Sequence, residues 1–365
     1  MADTPGISRY HRQMILPDVG AAGQQKIRNA KVLVVGAGAL GAAVLMYLVP
    51  AGVGRVGVLD NDELEASNLH RQVLYAMHDL GKPKVVAAID RLRAMNPDVE
   101  LVPHFLRLNV NNALEIIRDY DLVIECSDNF PTKFLVNDAC VMLNKPCVIG
   151  AAIGFSGQLS VYNYKDGPTY RCLLPEPPDP LTLPTCANAG VMGMVPGIIG
   201  NLQALEAIKI IIDKGDVLSG RLLHFEGMDA NFMELPIEAR PENKEITKLT
   251  EYAYSCPDFL LRQHTILPEE FFAHMENHDQ WEVMALSDDQ EYLTIKDYHW
   301  KTLPLYKMPE AIKKVPEQKK VILVCENGIK TLEGLKYLLV KEDFTRAYSL
   351  KDGLSALRFL GLDNV

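Results

Sequence analysis

Side chains that can hold the phosphates of a nucleotide are concentrated in two short segments. Asn68, Arg71 and Lys84 lie in "NDELEASNLHRQVLYAMHDLGKPK" (61–84), and Asp128 ends "DLVIECSD" (121–128). Arginine binds phosphate through two parallel hydrogen bonds, and lysine neutralises it as a point charge. A carboxylate beside a triphosphate works through Mg²⁺, because the two anions otherwise repel each other. Each charge alone would suit a solvated surface, but together they predict nucleotidyl or phosphoryl transfer.

A glycine loop precedes these charges. The sequence "GAGALG" (36–41) follows the apolar run "KVLVV" and opens an apolar helical segment. In this motif Gly36 allows a tight turn, Gly38 lets backbone approach a phosphate, and Gly41 lets helix and strand pack closely. Asp60, which ends the next apolar run, can accept hydrogen bonds from ribose hydroxyls. The loop predicts a bound nucleotide but does not distinguish ATP from NAD.

Alternating strand and helix patterns must position these residues. Such alternation predicts an α/β fold with a doubly wound, mainly parallel sheet and a Rossmann-like nucleotide loop. Asp128 is then expected at the carboxyl edge of a strand, where ligands bind in open sheets. Further along, "GVMGMVPGIIGNLQALEAIKIIID" (190–213) predicts a long apolar helix broken near Pro196, and "GRLLHFEGMDANFMELPI" (220–237) predicts a hairpin.

The composition changes after this hairpin. Residues 238–255, "EARPENKEITKLTEYAYS", are rich in charge and lack an apolar period, which indicates a linker. We therefore predict a nucleotide-binding domain over 1–237, a linker over 238–255 and a second, smaller α/β domain over 256–365. In the latter, "QWEVMALS" and "KKVILVCENG" are typical of strands, and "IKTLEGLKYLLVKE" of a helix.

Seven segments in order resemble the MoeB/ThiF family, relatives of the ubiquitin-activating enzymes, over residues 8–237. They are "RYHRQMILPDVGAAGQQKI", "GAGALG", "LDND", "SNLHRQ", "GKPK", "CSDNF" and "TCANAGVMG". The resemblance implies that ATP and Mg²⁺ adenylate the C-terminal glycine of a small ubiquitin-like protein with a Gly-Gly end, releasing pyrophosphate. A sulfur nucleophile then attacks the acyl-adenylate, in a pathway of the molybdopterin, thiamine or thiolated-tRNA type.

The resemblance also implies a role for individual residues. Asp60 would bind ribose, and Asp128 would be the magnesium-linked catalytic acid, with Asn129 beside the adenine or ribose. Arg12 would reach the ATP of a partner subunit, which implies a homodimer. Gly36, Gly38, Ala39 and Gly41 would form the nucleotide loop, with Ala39 where the family usually has glycine, and the phosphates would be bound by Asn68, Arg71 and Lys84.

The cysteines depart from the family pattern. Family members often bind a structural zinc through two C-x-x-C pairs, and such a site needs four ligands. In "TYRC" (169–172) Thr169 replaces the first cysteine, and "EARPENKEITKL" (238–249) contains none, so we expect no zinc. Cys186, in "LPTCANAGVMG", matches a position that can bind the carrier covalently. The alternative is a buried cysteine that begins a helix.

The C-terminal domain resembles a degenerate rhodanese. Cys325 in "VILVCENGIKT" is at the nucleophile position, where backbone N–H groups would cradle a persulfide. Lys330 replaces the usual arginine and Thr331 the usual serine. Two alternatives stay open here, namely sulfur transfer from Cys325 or an external donor such as a cysteine desulfurase, and a decayed fold kept for docking.

Composition narrows the remaining function classes. The net charge of −10 argues against a nucleic-acid partner, and no apolar run or N-terminal leader suggests a membrane. Seven cysteines without regular spacing fit a reducing compartment, so a cytoplasmic location is expected. An NAD-dependent oxidoreductase would explain the loop and Asp60 but leaves Arg12, Arg71, Lys84 and Asp128 without a role. A catalytically decayed carrier-binding scaffold is the other alternative.

Overall fold

The computed structural model describes residues 9–178, 190–251, 261, 263–275, 279–342 and 344–361. These residues form two compact units, and among the described residues the first ends at 251 and the second begins at 261.

The first unit is built on one sheet of eight strands. They are β1 (Lys31–Val35), β2 (Arg55–Leu59), β3 (Glu100–His104), β4 (Leu122–Glu125), β5 (Cys147–Ile153), β6 (Ser156–Tyr162), β7 (Arg221–Glu226) and β8 (Asn231–Pro236). Their order is β3-β2-β1-β4-β5-β6-β7-β8. The strands from β3 to β5 in this order pair in parallel, and β6, β7 and β8 continue the sheet antiparallel. The predicted mainly parallel fold and the β7–β8 hairpin are confirmed.

Helices cover both faces of this sheet. They are α1 (His11–Met14), α2 (Gly20–Asn29), α3 (Ala39–Ala51), α4 (Lys84–Met95), α5 (Ala113–Arg118), α6 (Phe130–Met142), α7 (Tyr170–Leu173) and α8 (Met194–Ile212). Val32 and Val34 pack into one apolar cluster with α3 and α8, whereas Leu33 and Val35 pack into another with α5 and α6. Because both faces are buried, β1 is a continuous apolar run rather than an alternating one.

The predicted break near Pro196 is wrong. Helix α8 begins at Met194 and runs to Ile212, so Pro196 lies in its first turn. A proline there costs little, because the first N–H groups of a helix have no partner within it. The sequence suggested no membrane-spanning run, yet α8 is long and apolar enough to cross a membrane. Half of its most apolar stretch is buried in the protein, and core helices can have this same length and composition.

The described part of the predicted linker packs against the first unit. A short 3-10 helix spans Pro241–Lys244, and Leu249 is buried in the cluster that contains Leu33 and Phe134. Residues 238–251 therefore add to the core of this unit. The position of the domain boundary itself stays a prediction.

The second unit is a smaller α/β sandwich with a sheet of six strands. The strands are β9 (Thr265–Ile266), β10 (Trp281–Leu286), β11 (Tyr292–Ile295), β12 (Tyr298–Leu303), β13 (Lys320–Val324) and β14 (Ala347–Leu350), in the order β11-β12-β10-β13-β14-β9. The helices are α9 (Pro268–Met275), α10 (Met308–Ile312), α11 (Ile329–Lys341) and α12 (Gly353–Phe359). Within the described part of this six-stranded sheet, only the β11–β12 pair is antiparallel. The strands and helix predicted around Cys325 are confirmed.

Candidate active site

The glycine loop turns directly from β1 into α3. Gly36 has φ +94°, a conformation that only glycine adopts readily, and a Cβ there would lie 2.9 Å from the Cys126 carbonyl. A Cβ on Gly41 would lie 1.9 Å from the Gly36 carbonyl oxygen. By contrast, a Cβ on Gly38 would meet nothing closer than the Gln72 Nε2 atom at 3.8 Å. Gly36 and Gly41 are thus needed for packing, whereas Gly38 leaves space at the N-terminus of α3.

This difference predicts opposite results for two alanine variants. Gly41→Ala should lower the free energy of unfolding by about 1–3 kcal/mol, because its methyl group overlaps backbone that must move. Gly38→Ala should unfold like the wild type but bind ATP more weakly, because its methyl group takes space that a phosphate would use. Chemical denaturation and ATP titration of both variants check this. Equal stability of the two variants would contradict the assignment.

Two hydrogen bonds fix the middle of the loop. Asp60 follows β2, and its Oδ2 accepts the Ala37 N–H at 2.7 Å. On the other side of the loop, the buried Tyr75 hydroxyl donates to the Ala37 carbonyl at 2.7 Å. Burial raises the pKa of Asp60, and the positive charge of Lys84 acts in the opposite direction. These two hydrogen bonds fix the orientation of the Ala37 peptide groups, as expected of a backbone preorganised for a ligand.

Asn68, Arg71 and Lys84 all lie in the segment that leads from β2 to α4. Asn68 is buried, and its Oδ1 accepts the Glu65 N–H at 3.3 Å. Arg71 is half-buried, and its Nη1 donates to the Ser67 carbonyl at 2.8 Å. The segment is thus folded back on itself through local hydrogen bonds.

Lys84 is the first residue of α4 and is 6% exposed. Its Nζ lies 2.8 Å from Asp62 Oδ2. A cation at a helix N-terminus opposes the helix dipole, so this position is not explained by the stability of α4. The paired Asp62 and nearby Asp60 hold the ammonium group at the carboxyl end of β2, where the sequence predicted phosphate binding.

Asp128 and Asn129 lie between β4 and α6. Asp128 is exposed and makes no hydrogen bond or ion pair with any residue that the structure describes. Asn129 caps α6, since its Oδ1 accepts the Thr132 N–H at 2.9 Å. The carboxylate of Asp128 is therefore free for a ligand, whereas the Asn129 oxygen already serves the helix.

A buried ion pair supports the Asp128 loop, and the sequence reasoning missed it. Glu125 is fully buried, and its Oε2 is 2.5 Å from the Lys133 Nζ. Lys133 also donates to the carbonyls of Ser127 and Gly150, each at 2.8 Å, and Glu125 Oε1 accepts the Ser127 N–H at 2.8 Å. The signal available in the sequence was a glutamate inside an apolar strand, which needs a buried partner.

The remaining predicted residues are distributed as follows. Arg12 is exposed on α1. Cys186 lies outside the described residues. Cys126, Cys140 and Cys147 are buried, and burial raises the pKa of Cys126 well above its usual range.

Residues from the two segments where zinc ligands were expected meet around one sulfur atom. The Cys172 Sγ lies 3.5 Å from the Thr169 hydroxyl and accepts the Arg240 N–H at 3.4 Å and the Asn243 Nδ2 at 3.5 Å. Arg240 and Asn243 have the spacing of a second C-x-x-C pair. Burial raises the pKa of Cys172, but these hydrogen bonds outweigh it, and the net pKa is lowered. One sulfur among threonine, arginine and asparagine does not fit a closed zinc site.

In the second unit, Cys325 follows β13 and is 2% exposed. Its Sγ lies 3.8 Å from Thr331 Oγ1 and 3.9 Å from Asn327 Oδ1. The Lys330 Nζ forms an ion pair with Asp288 Oδ2 at 2.7 Å, and this hydrogen bond raises the pKa of the lysine. The charge that replaces the usual arginine is therefore already compensated by a carboxylate.

Comparison with known proteins agrees with this geometry. The model of the ThiF family matches residues 10–247. A sulfur carrier protein adenylyltransferase of Thermus thermophilus is 52% identical over 240 residues, which are 64% of this chain and 89% of that protein. The adenylyltransferase and sulfurtransferase MOCS3 of Drosophila yakuba is 45% identical over 295 residues. The match covers 81% of this chain and 63% of the Drosophila protein, so this chain spans less than two thirds of that relative.

Solved structures share the fold at lower identity. Escherichia coli MccB with ATP has a TM-score of 0.57 and 22% identity over 66% of this chain and 73% of that chain. The NAD-dependent oxidoreductase alternative is not favoured, because the two relatives from Thermus thermophilus and Drosophila yakuba are named adenylyltransferases. A family model over residues 10–247, together with a relative 52% identical over nine-tenths of its length, establishes that this chain belongs to the ThiF family.

Proposed function

We propose that this adenylyltransferase of the ThiF family uses ATP and Mg²⁺ to activate the C-terminal glycine of a small ubiquitin-like sulfur carrier. The observation that carries the proposal is the open space at Gly38, at the N-terminus of a 13-residue helix, with Lys84 held nearby. Helix N-termini attract phosphate, and the rigid loop needs no reorganisation when it binds. Identity to a relative named for this reaction supports the choice of substrate.

The residues fit the two groups that the reaction needs. Gly38 leaves room for phosphate, and Asp60 keeps lone pairs for ribose hydroxyls beyond its two backbone hydrogen bonds. Asp128 offers a carboxylate that has no partner among the described residues. Mg²⁺ is usually held by one or two carboxylates together with substrate phosphates. When bound, Mg²⁺ would neutralise charge on the phosphates. No cluster of three acidic, histidine or cysteine ligands occurs among the described residues, so Asp128 would supply that contact together with the substrate phosphates.

In this reaction the carrier's terminal carboxylate attacks the α-phosphorus, and the bond to pyrophosphate breaks. Arg71 and Lys84 stabilise the charge that shifts onto the leaving pyrophosphate. Arg12 of a second subunit adds a further cation, so the active form is a homodimer. Sulfur comes from Cys325 or from an external donor such as a cysteine desulfurase, with Cys186 as the residue that holds the carrier.

ATP–pyrophosphate exchange by the full chain tests the proposal. Candidate carriers ending in Gly-Gly are compared with the same carriers lacking these two residues. We expect exchange only with the intact carrier. Equal exchange with carriers that lack Gly-Gly would show that the enzyme activates another acyl group. ATP binding with no exchange for any carrier would show that the acyl substrate is another one or that the unit is a decayed scaffold.

We also expect the purified protein to contain no stoichiometric zinc, because three of the four ligand positions lack sulfur. The triple variant Thr169→Cys, Arg240→Cys, Asn243→Cys should bind about one zinc per chain, since its four sulfur atoms would surround one point. Metal analysis of both proteins checks this. One zinc per wild-type chain would contradict the prediction.

A further inference from the structure

Gln72 is a buried polar residue that the local fold leaves without a partner. It is 4% exposed, and its Oε1 makes no hydrogen bond to any described residue. Its backbone is fixed, since its N–H donates to the Asn68 carbonyl at 3.0 Å and its carbonyl accepts the Tyr75 N–H at 3.2 Å. Buried carboxamides are almost always hydrogen-bonded, so this exception requires an explanation.

The side chain points to the part of the glycine loop that is open. Its Nε2 is the nearest atom, at 3.8 Å, to a Cβ built on Gly38. Tyr75, three residues further on, donates its hydroxyl to the Ala37 carbonyl, so the segment that carries Gln72 is attached directly to the loop. The carboxamide therefore lies beside the N-terminus of α3, and the Tyr75 hydrogen bond joins its segment to the loop.

The surroundings indicate which ligand would pair with it. The N–H groups at the start of α3 carry partial positive charge, and Lys84, which is paired with Asp62, lies near the same strand ends. An anion is favoured at such a place, and an amide Nε2 can donate to it without adding charge. Phosphate-bound water can in turn donate to Oε1, so a hydrated phosphate satisfies both ends of the group.

We infer that Gln72 contacts the bound nucleotide, with its Nε2 donating to a phosphate oxygen over Gly38. It thereby adds an uncharged donor to the cations Arg71 and Lys84. This inference rests on the proposed function for the identity of the nucleotide, whereas the contact itself is argued from the positions of Gln72 and Gly38.

Two substitutions of similar size test the contact. Gln72→Glu keeps the shape and replaces the donor with a negative charge, and Gln72→Met removes both polar ends. Binding of ATP and of adenosine, which lacks phosphate, is measured by calorimetry for each full-length variant. We expect Gln72→Glu to weaken ATP binding at least about tenfold and Gln72→Met about three- to tenfold, with adenosine binding changed less than about twofold.

A stability measurement separates this contact from a purely structural role. Without nucleotide, Gln72→Met should be as stable as the wild type or more so, because it replaces an unsatisfied polar group with an apolar one. ATP binding at wild-type strength in both variants would overturn the inference. Unchanged or tighter ATP binding by Gln72→Glu would also overturn it. A carboxylate cannot donate to phosphate, so that result would mean that Oε1 accepts a hydrogen bond from a ribose hydroxyl. Absence of carrier-dependent exchange in the wild type would instead count against the proposed function, and the ATP–adenosine comparison would still decide the role of Gln72.

Discussion

Asp128→Asn is expected to reduce carrier-dependent ATP–pyrophosphate exchange by about 10²–10³-fold, the typical effect of removing one group that acts on transition-state charge. The carboxylate is exposed and unpartnered among the described residues, so its loss should not disturb the fold. An amide of the same shape binds Mg²⁺ weakly, because it lacks the negative charge. The measurement is the exchange rate at saturating ATP over a range of Mg²⁺ concentrations.

Asp166→Asn is a matched control, because Asp166 is exposed in the turn after β6, away from the loop. It should exchange at the wild-type rate. If Asp128→Asn also did so, the proposed magnesium-linked role of Asp128 would be wrong. If high Mg²⁺ restored most of the rate, the carboxylate would be acting mainly in metal binding rather than in the chemical step.

Lys133→Met should lower the free energy of unfolding by about 3–5 kcal/mol, because it leaves the buried Glu125 carboxylate without its counter-charge. The loss should also affect ATP use, since Lys133 donates to the Ser127 carbonyl next to Asp128. Urea denaturation and nucleotide titration of the same variant measure both effects. The double variant Glu125→Gln, Lys133→Met should recover part of the stability, because no unpaired charge remains buried. Equal losses in the single and double variants would contradict this account.

The stability of Lys133→Met should also depend on pH in a defined direction. Burial raises the pKa of Glu125, and the Lys133 charge and hydrogen bond oppose that shift. Without Lys133, the carboxyl has a pKa in the folded state well above that in the unfolded state, so the folded state binds more protons. Stability is then greatest at low pH and falls as pH rises. The free energy of unfolding of Lys133→Met should therefore increase as the pH is lowered toward the ordinary pKa of a glutamate, about 4.3, and more than that of the double variant.

Much of the first unit could be predicted from local signals. A run such as "KVLVV" followed by "GAGALG" specifies a buried strand, a turn and a helix, because apolar continuity and glycine conformations act over a few residues. The order of Asp60, Lys84 and Asp128 along the chain then places them at one edge of a parallel sheet, where strand carboxyl ends meet. The prediction of a helix break near Pro196 was wrong because the cost of a proline depends on its distance from the start of the helix. The apolar pattern of the sequence did not locate that start, which is Met194.

Only the tertiary structure decided which polar groups have partners. Glu125 meets Lys133, and Cys172 meets Asn243, across 8 and 71 residues of sequence. Gln72 makes no side-chain hydrogen bond to a described residue, although Asn68 and Arg71 in the same segment were predicted from the pattern. Hydrogen bonds depend on distances of a few tenths of an ångström between segments that no local signal relates. The sequence by itself therefore determined the nucleotide loop and the charges around it, whereas packing determined which groups are already satisfied and which remain for a ligand.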